Sequence, residues 1–275
     1  MEQCQPLRVL IVGQQNNFTH VLSTNIQHWG HEVMCCSSEA LQQKEKRGQT
    51  ALAMWQADVL LYDLDDVVDA PKSHTFFSVL HILKDRQEFL IALSSRSVSR
   101  RTLEQMGAVA LLQKPFEMGR LSRYLHVLRQ LLHPHVQQQV QKDVEVPHEV
   151  MRVLVVDDDV NIAYVIRQCL TTDIETVFDV AIAHDGLDAL EQCIHWHPHC
   201  IVTDLIMPLM NGYQVMRCLA IGAMHSTPAF VVMSALTQLE APVDAVYLAG
   251  KTVAYVDKPF HIDNLLAAIQ QVCLV

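Results

Sequence analysis

The sequence predicts an α/β protein of two tandem domains, each a five-stranded parallel sheet with helices on both faces, and three features carry that prediction. The first is an internal repeat. Leu7-Arg8-Val9-Leu10-Ile11-Val12 returns as Met151-Arg152-Val153-Leu154-Val155-Val156, and Val59-Leu60-Leu61-Tyr62-Asp63 returns as Cys200-Ile201-Val202-Thr203-Asp204. Phe89 to Ser94 then returns as Ala229 to Ser234, and Lys114-Pro115-Phe116 as Lys258-Pro259-Phe260. The offsets of 144, 141, 140 and 144 residues keep order and spacing as a duplicated domain with small loop changes would. The second is that short continuous apolar runs alternate with longer stretches of helical period, the pattern of strands buried on both faces and joined by crossover helices. The third is that 275 residues, 50% hydrophobic and 18% charged, hold enough apolar material for two ordinary cores and too much for a disordered chain.

The elements follow in order. In the first copy the run Leu7 to Val12 is the first strand, Cys35-Cys36 are strand or strand-end packing, Val59 to Asp63 is the third strand and Phe89 to Ser94 the fourth. Lys114-Pro115 ends the fifth, and Met118, Leu121, Leu125, Leu128 and Leu132 place one apolar stripe on a closing helix. The second copy repeats this from Met151. Its closing helix is the clearest, with Ile262, Leu265, Leu266, Ile269 and Val272 at i, i+3, i+4, i+7 and i+10. Between the copies lies a polar, proline-bracketed stretch, giving domains at 1–133 and 151–275 and a linker at 134–150.

Charge divides unevenly. Residues 1–133 carry 14 Lys/Arg against 13 Asp/Glu, and residues 134–275 carry 6 against 17, so carboxylate chemistry belongs to the second copy. The formal net charge of −10 argues against non-specific nucleic-acid binding. No apolar run approaches the ~20 residues of a membrane span, and the N-terminus lacks a signal-peptide core, so a cytoplasmic location is expected. Eight cysteines without a CxxC pair read as reduced, packed thiols.

In an open parallel sheet, functional groups gather at the carboxyl ends of the strands. There the second copy sets Asp157-Asp158-Asp159 after its first strand, Asp204 after the third, Ser234 after the fourth and Lys258 after the fifth. Packed carboxylates repel unless a cation neutralises them, and an oxygen-only set suits Mg²⁺. Asp157, Asp158 and Asp204 are therefore the candidate Mg²⁺ ligands, together with a backbone carbonyl and waters. Asp159 is expected to be a helix cap or an outer-shell acid rather than a ligand.

This constellation resembles the receiver domains of two-component response regulators. The resemblance rests on Val155-Val156-Asp157-Asp158, Asp204 with Met207-Pro208 and Asn211-Gly212, Ser234-Ala235, Tyr255 and Lys258-Pro259-Phe260, and covers residues 151–275. It implies a (βα)5, flavodoxin-like fold in each copy. It further implies that Asp204 accepts a phosphoryl group from a histidine kinase or histidine phosphotransfer protein, and that the Ile206 backbone carbonyl joins Asp157, Asp158 and Asp204 around Mg²⁺. Lys258 and Ser234 would contact the phosphoryl oxygens, and Tyr255 would act as the switch. In the family, the residues two past the acceptor and two past the serine border the path of the hydrolytic water; here they are the apolar Ile206 and Leu236, which implies a long-lived phosphoryl group.

The first copy keeps Asp63, Ser94 and Lys114 but has Gly13 and Gln14 in place of the two acids, Asp65-Asp66 and Val67-Val68 after the acceptor position, and Leu111 in place of Tyr255. It reads as a degenerate receiver in which Asp63 and Lys114 form a buried ion pair. The run His195-Trp196-His197-Pro198-His199-Cys200 offers transition-metal ligands, but it lies at the sheet end opposite the acids.

The expected function is thus a phosphorelay response regulator that is not an enzyme and signals to a protein partner. It admits a homodimer and involves neither nucleic acid nor membrane directly. The alternative is the receiver-receiver input half of a larger protein with a C-terminal cyclase or DNA-binding output. An aspartate-nucleophile phosphatase would carry its nucleophile in a DxD after the first strand, whereas here the candidate nucleophile Asp204 follows the third, and a dinucleotide site would need GxGxxG after a first strand, which neither copy has.

Overall fold

The computed structural model describes residues 5–37, 56–66, 88–134, 150–173, 176–222, 228–234 and 253–273. The chain divides into two compact units, Met1–Arg129 and Gln130–Val275.

In the first unit, β1 (Arg8–Val12), α1 (Asn17–His28), β2 (Glu32–Cys36), β3 (Val59–Asp63), β4 (Phe89–Ser94), α2 (Arg100–Met106), β5 (Ala108–Gln113) and α3 (Met118–Leu132) follow one another. The second unit has β6 (Met151–Val156), α4 (Val160–Thr171), β7 (Phe178–Ala183), α5 (Gly186–Trp196), β8 (Cys200–Asp204), α6 (Gly212–Ile221), β9 (Ala229–Ser234), β10 (Val253–Asp257) and α7 (Ile262–Cys273). The strand orders are β2-β1-β3-β4-β5 and β10-β9-β8-β6-β7, and every pairing is parallel. Both are the doubly wound order of flavodoxin-like sheets, with the direction of winding reversing between the first and third strands of each unit. The fold class expected from the repeat is the fold observed.

Burial follows strand position. The central strands β3 and β8 are buried at all five residues, while in the edge strands β2 and β10 only Cys36 and Val256 are buried. An apolar strand buried on both faces can end in an aspartate only if that charge finds partners, and both β3 and β8 end so, at Asp63 and Asp204. The second core gathers Val153, Val155, Val202 and Val231 with Ile166 of α4 and with Leu265, Ile269 and Val272 of α7. Truncating one such aliphatic side chain to alanine costs about 2–5 kcal/mol. In α3, Leu121, Leu125 and Leu128 of the expected stripe are buried, Met118 and Leu132 at its two ends are half-buried, and Tyr124, Val127 and Leu131 join the buried face.

Helix starts are written in side chains. Asn16, Ser99, Asp159, Asp185 and Asn211 each accept a backbone N–H of the following turn. Asp159 therefore caps α4, the first of the two roles expected of it. His197 ends α5 in the left-handed region at φ 51°, and His199 is engaged by Arg152, whose N–H reaches its Nδ1 at 3.2 Å. The linker residues 135–149, and Leu236 with them, lie outside the described residues.

Candidate functional site

The switch point of the second sheet sets the ends of β6 and β8 side by side, with Val156 paired to Thr203. Asp157 follows β6 and is 1% exposed; Asp204 ends β8 and is 9% exposed; Asp158 is open to solvent. One oxygen from each of these three carboxylates lies within 4.8 Å of the others. Among the described residues this is the cluster of acidic and metal-ligating side chains suited to a cation.

Lys258 enters from the far edge. It follows β10, and its backbone N–H donates to the Ser234 carbonyl at 2.7 Å, tying the lysine to the end of β9. Its ammonium donates to Asp157 Oδ2 at 3.0 Å and Asp204 Oδ2 at 2.9 Å. Burial opposes the lysine's charge, but the bonds to Asp204 and Asp157 outweigh it, so its pKa is raised. Burial is also the largest influence on Asp157 and pushes its carboxyl up, against the opposing pull of the Asp159 N–H and Lys258. Three carboxylates with one ammonium leave an excess of negative charge on a hard oxygen donor set, which is the chemistry of a divalent cation site.

The loop after β8 is held tightly to the site. The Ile206 N–H donates to Asp204 Oδ1 at 3.2 Å, while the Ile206 side chain is 52% exposed. Thr203, fully buried, donates its hydroxyl to the Asp204 carbonyl at 3.0 Å. Asn211 and Gln214 form a reciprocal capping box. A Cβ on Gly212 would stand 2.6 Å from the Asp204 carbonyl oxygen, so only glycine lets α6 begin against the end of β8. Asn211-Gly212 was read in the sequence as a motif; the capping box that Asn211 makes with Gln214 was not, and Thr203 carried no signal.

Of the sequence-derived residues, the fold brings Asp157, Asp158, Asp204 and Lys258 together, and Ser234 ends the neighbouring strand opposite Asp257 in the β9–β10 ladder. Tyr255 stands apart from them. It is 41% exposed on the edge strand, at a groove of about 670 Å³ lined also by Val253, Phe260, Asn264 and Gln271.

The first unit is built differently at the same sheet edge. Lys114 Nζ donates to both oxygens of Asp63 at 2.6 Å, which is the ion pair read from the sequence. Asp66 Oδ2 accepts the Gln14 N–H. A Cβ on Gly13 would lie 3.0 Å from both Asp63 Cβ and Asp66 Oδ2, so the space of a first ligand acid is already taken.

Residues 153–270 match the family described as response regulator receiver domain. A protein-glutamate methylesterase/protein-glutamine glutaminase from Myxococcus xanthus is 38% identical over 109 residues, 40% of this chain and 30% of that protein. The response regulator MprA of Mycobacterium avium is 32% identical over 121 residues, 44% of this chain and 50% of that protein. The chain thus spans half or less of the length of these curated relatives. The solved response regulator domain of Thermotoga maritima CheB is 27% identical with a TM-score of 0.40, covering 46% of this chain and 98% of that one.

Proposed function

We propose that residues 153–270, a response regulator receiver domain, take a phosphoryl group onto Asp204 from a histidine kinase or histidine phosphotransfer protein. The phosphorus–nitrogen bond of the donor imidazole breaks, a phosphorus–oxygen bond to the Asp204 carboxylate forms, and the imidazole leaves with the electron pair and gains a proton. The observation that carries this reading is the position of Asp204. Its carboxylate ends a fully buried strand, is held by Lys258 and Ile206, and has two further carboxylates at its side.

Asp157, Asp158, Asp204 and the Ile206 backbone carbonyl would hold Mg²⁺, and the excess negative charge of the cluster fits a divalent ion. When bound, the ion neutralises charge on the phosphoryl oxygens. Lys258 is already seated between Asp157 and Asp204, so its ammonium is in place to follow the new oxygens, and the Ser234 hydroxyl donates to another. The chain's own work is positioning and charge balance, not turnover: it is a phosphoacceptor with at most slow self-catalysed gain and loss of phosphate. Tyr255, exposed at its groove, is the residue whose reorientation a downstream protein partner, or a second copy in a homodimer, would read. No helix among the described residues is long and apolar enough to cross a membrane, and a cytoplasmic protein acting through protein contacts fits that.

A second reading, the input half of a larger protein with its own output domain, is favoured by the extent of the curated relatives beyond the matched segment. The first reading is tested with a small phosphodonor and Mg²⁺. Intact mass should show one added phosphoryl group, absent in Asp204→Asn and retained in Asp63→Asn. Labelling that survives in Asp204→Asn overturns the assignment.

A further inference from the structure

Two residues past the central-strand aspartate the second unit carries Ile206, whereas the first carries Asp65. Ile206 turns outward; Asp65 turns in. Its Oδ1 accepts the Ser94 hydroxyl at 3.3 Å and the Ser95 N–H at 3.0 Å. Its Oδ2 accepts the same N–H at 2.8 Å and the Lys114 ammonium at 3.1 Å. A hydroxyl, a backbone N–H just past a strand end and an ammonium converging on one point make a receptor for an oxyanion. The ammonium is held from behind as well, 4.5 Å from the centre of the Phe18 ring, which meets Phe116 edge-on at 6.1 Å.

We propose that the first unit contains an oxyanion site for phosphate-like ligands whose occupant is built into the chain, the Asp65 carboxylate, so that this unit is held permanently in an anion-filled arrangement. Burial alone would raise the Asp65 carboxyl, yet the Ser95 N–H and Lys114 hold it below the usual carboxylate range, as a bound anion requires. Asp66, turned instead to the Gln14 N–H and crowding Gly13, closes the side on which a metal-binding acid would stand. The first unit is then not an empty receiver but a filled one, insensitive to phosphodonors because its anion never leaves. The site's occupancy does not depend on the proposed chemistry of Asp204.

The test uses the full chain in an Asp204→Asn background without Mg²⁺, so that the second unit's behaviour cannot enter. Inorganic phosphate is the probe and the backbone amide resonance of Ser95 the readout. With Asp65 present, phosphate should leave that resonance in place. In Asp65→Ala it should move it saturably, with affinity at least about tenfold above that of the parent, since a site with charged and neutral donors is freed. Asp66→Ala should behave as the parent. Asp65→Ser, which also withdraws the carboxylate from these donors but keeps a short polar side chain, repeats the test if the alanine variant loses its fold. A parent that titrates as strongly as the variants, or folded variants that ignore phosphate, overturns the proposal.

Discussion

Lys258 Nζ reaches Asp157 Oδ2 at 3.0 Å across 101 residues of chain, from the edge strand β10 over β9 and β8 to the end of β6. The contact offsets the burial of Asp157 only in part, because that carboxyl still sits above its ordinary value. A folded-state pKa that is raised gives stability that is complete below the unfolded carboxylate value and lost as pH rises through the folded one. Without Mg²⁺, Asp157→Asn is therefore expected to melt at or above the parent's temperature at neutral pH. The difference should vanish as pH falls below the carboxylate range. Added Mg²⁺ should stabilise the parent and not the variant. Thermal melts across pH, with and without the ion, check this; a parent that melts higher at every pH without metal contradicts it.

Asp158 is the solvent-facing member of the cluster. Asp158→Ala should lose affinity for Mg²⁺ by about tenfold or more, since it deletes one of few hard oxygen donors, while folding as well as the parent because a like charge is gone. Titration calorimetry beside a denaturant curve reads both. Unchanged Mg²⁺ affinity would remove Asp158 from the ligand set.

Gly212 touches the Asp204 carbonyl so closely that no Cβ fits. Gly212→Ala should cost roughly 1–3 kcal/mol, the ordinary range for forcing extra volume into a packed region, and should slow phosphorylation by moving the loop that carries Ile206. The same substitution at Gly119, where a Cβ would meet nothing within 4 Å, should leave stability unchanged or slightly raised. Equal effects at the two glycines would show that the close approach is not what matters.

The exposed Ile206 side chain beside Asp204 cannot orient a water by hydrogen bonding. The phosphoryl group on Asp204 should accordingly persist for many minutes, and Ile206→Asn combined with Leu236→Glu should shorten its lifetime at least about tenfold, equivalent to ~1.4 kcal/mol of barrier. Loss of the phosphoryl mass with time measures it. Complete loss within seconds in the parent would show that the apolar side chain does not slow hydrolysis.

The thiols differ sharply. Burial pushes Cys193 up to about 12 and raises Cys218 as well. The hydrogen bond between Cys200 at the start of β8 and Cys273 at the end of α7, together with burial, raises Cys200, and the same bond lowers Cys273 against the opposing effect of burial. Native-state alkylation should thus modify Cys273 at least about tenfold faster than Cys193 or Cys218, because the thiolate is the nucleophile. Peptide mapping at early times decides it, and comparable rates at Cys218 and Cys273 would refute it.

The repeat, the alternation of apolar runs with helical stripes and the position of acids at strand ends are local or periodic, and they were enough to specify two doubly wound sheets and to bring Asp157, Asp158, Asp204 and Lys258 to one edge. That Asp159 caps a helix and that Lys114 pairs with Asp63 followed from the same reading. Side-chain direction in the loops did not. Nothing in the string Asp63-Leu64-Asp65-Asp66 says that Asp65 turns toward Ser95 while Asp66 turns toward Gln14, because each choice is made by donors 30 and 52 residues distant. Likewise Gly212 read as one half of a motif, and only the 2.6 Å approach to the Asp204 carbonyl shows what the missing side chain is for. Periodicity fixes which face of an element is buried; the partner a polar group finds at a strand end is fixed by which distant loop arrives there, and that is decided when the sheet closes.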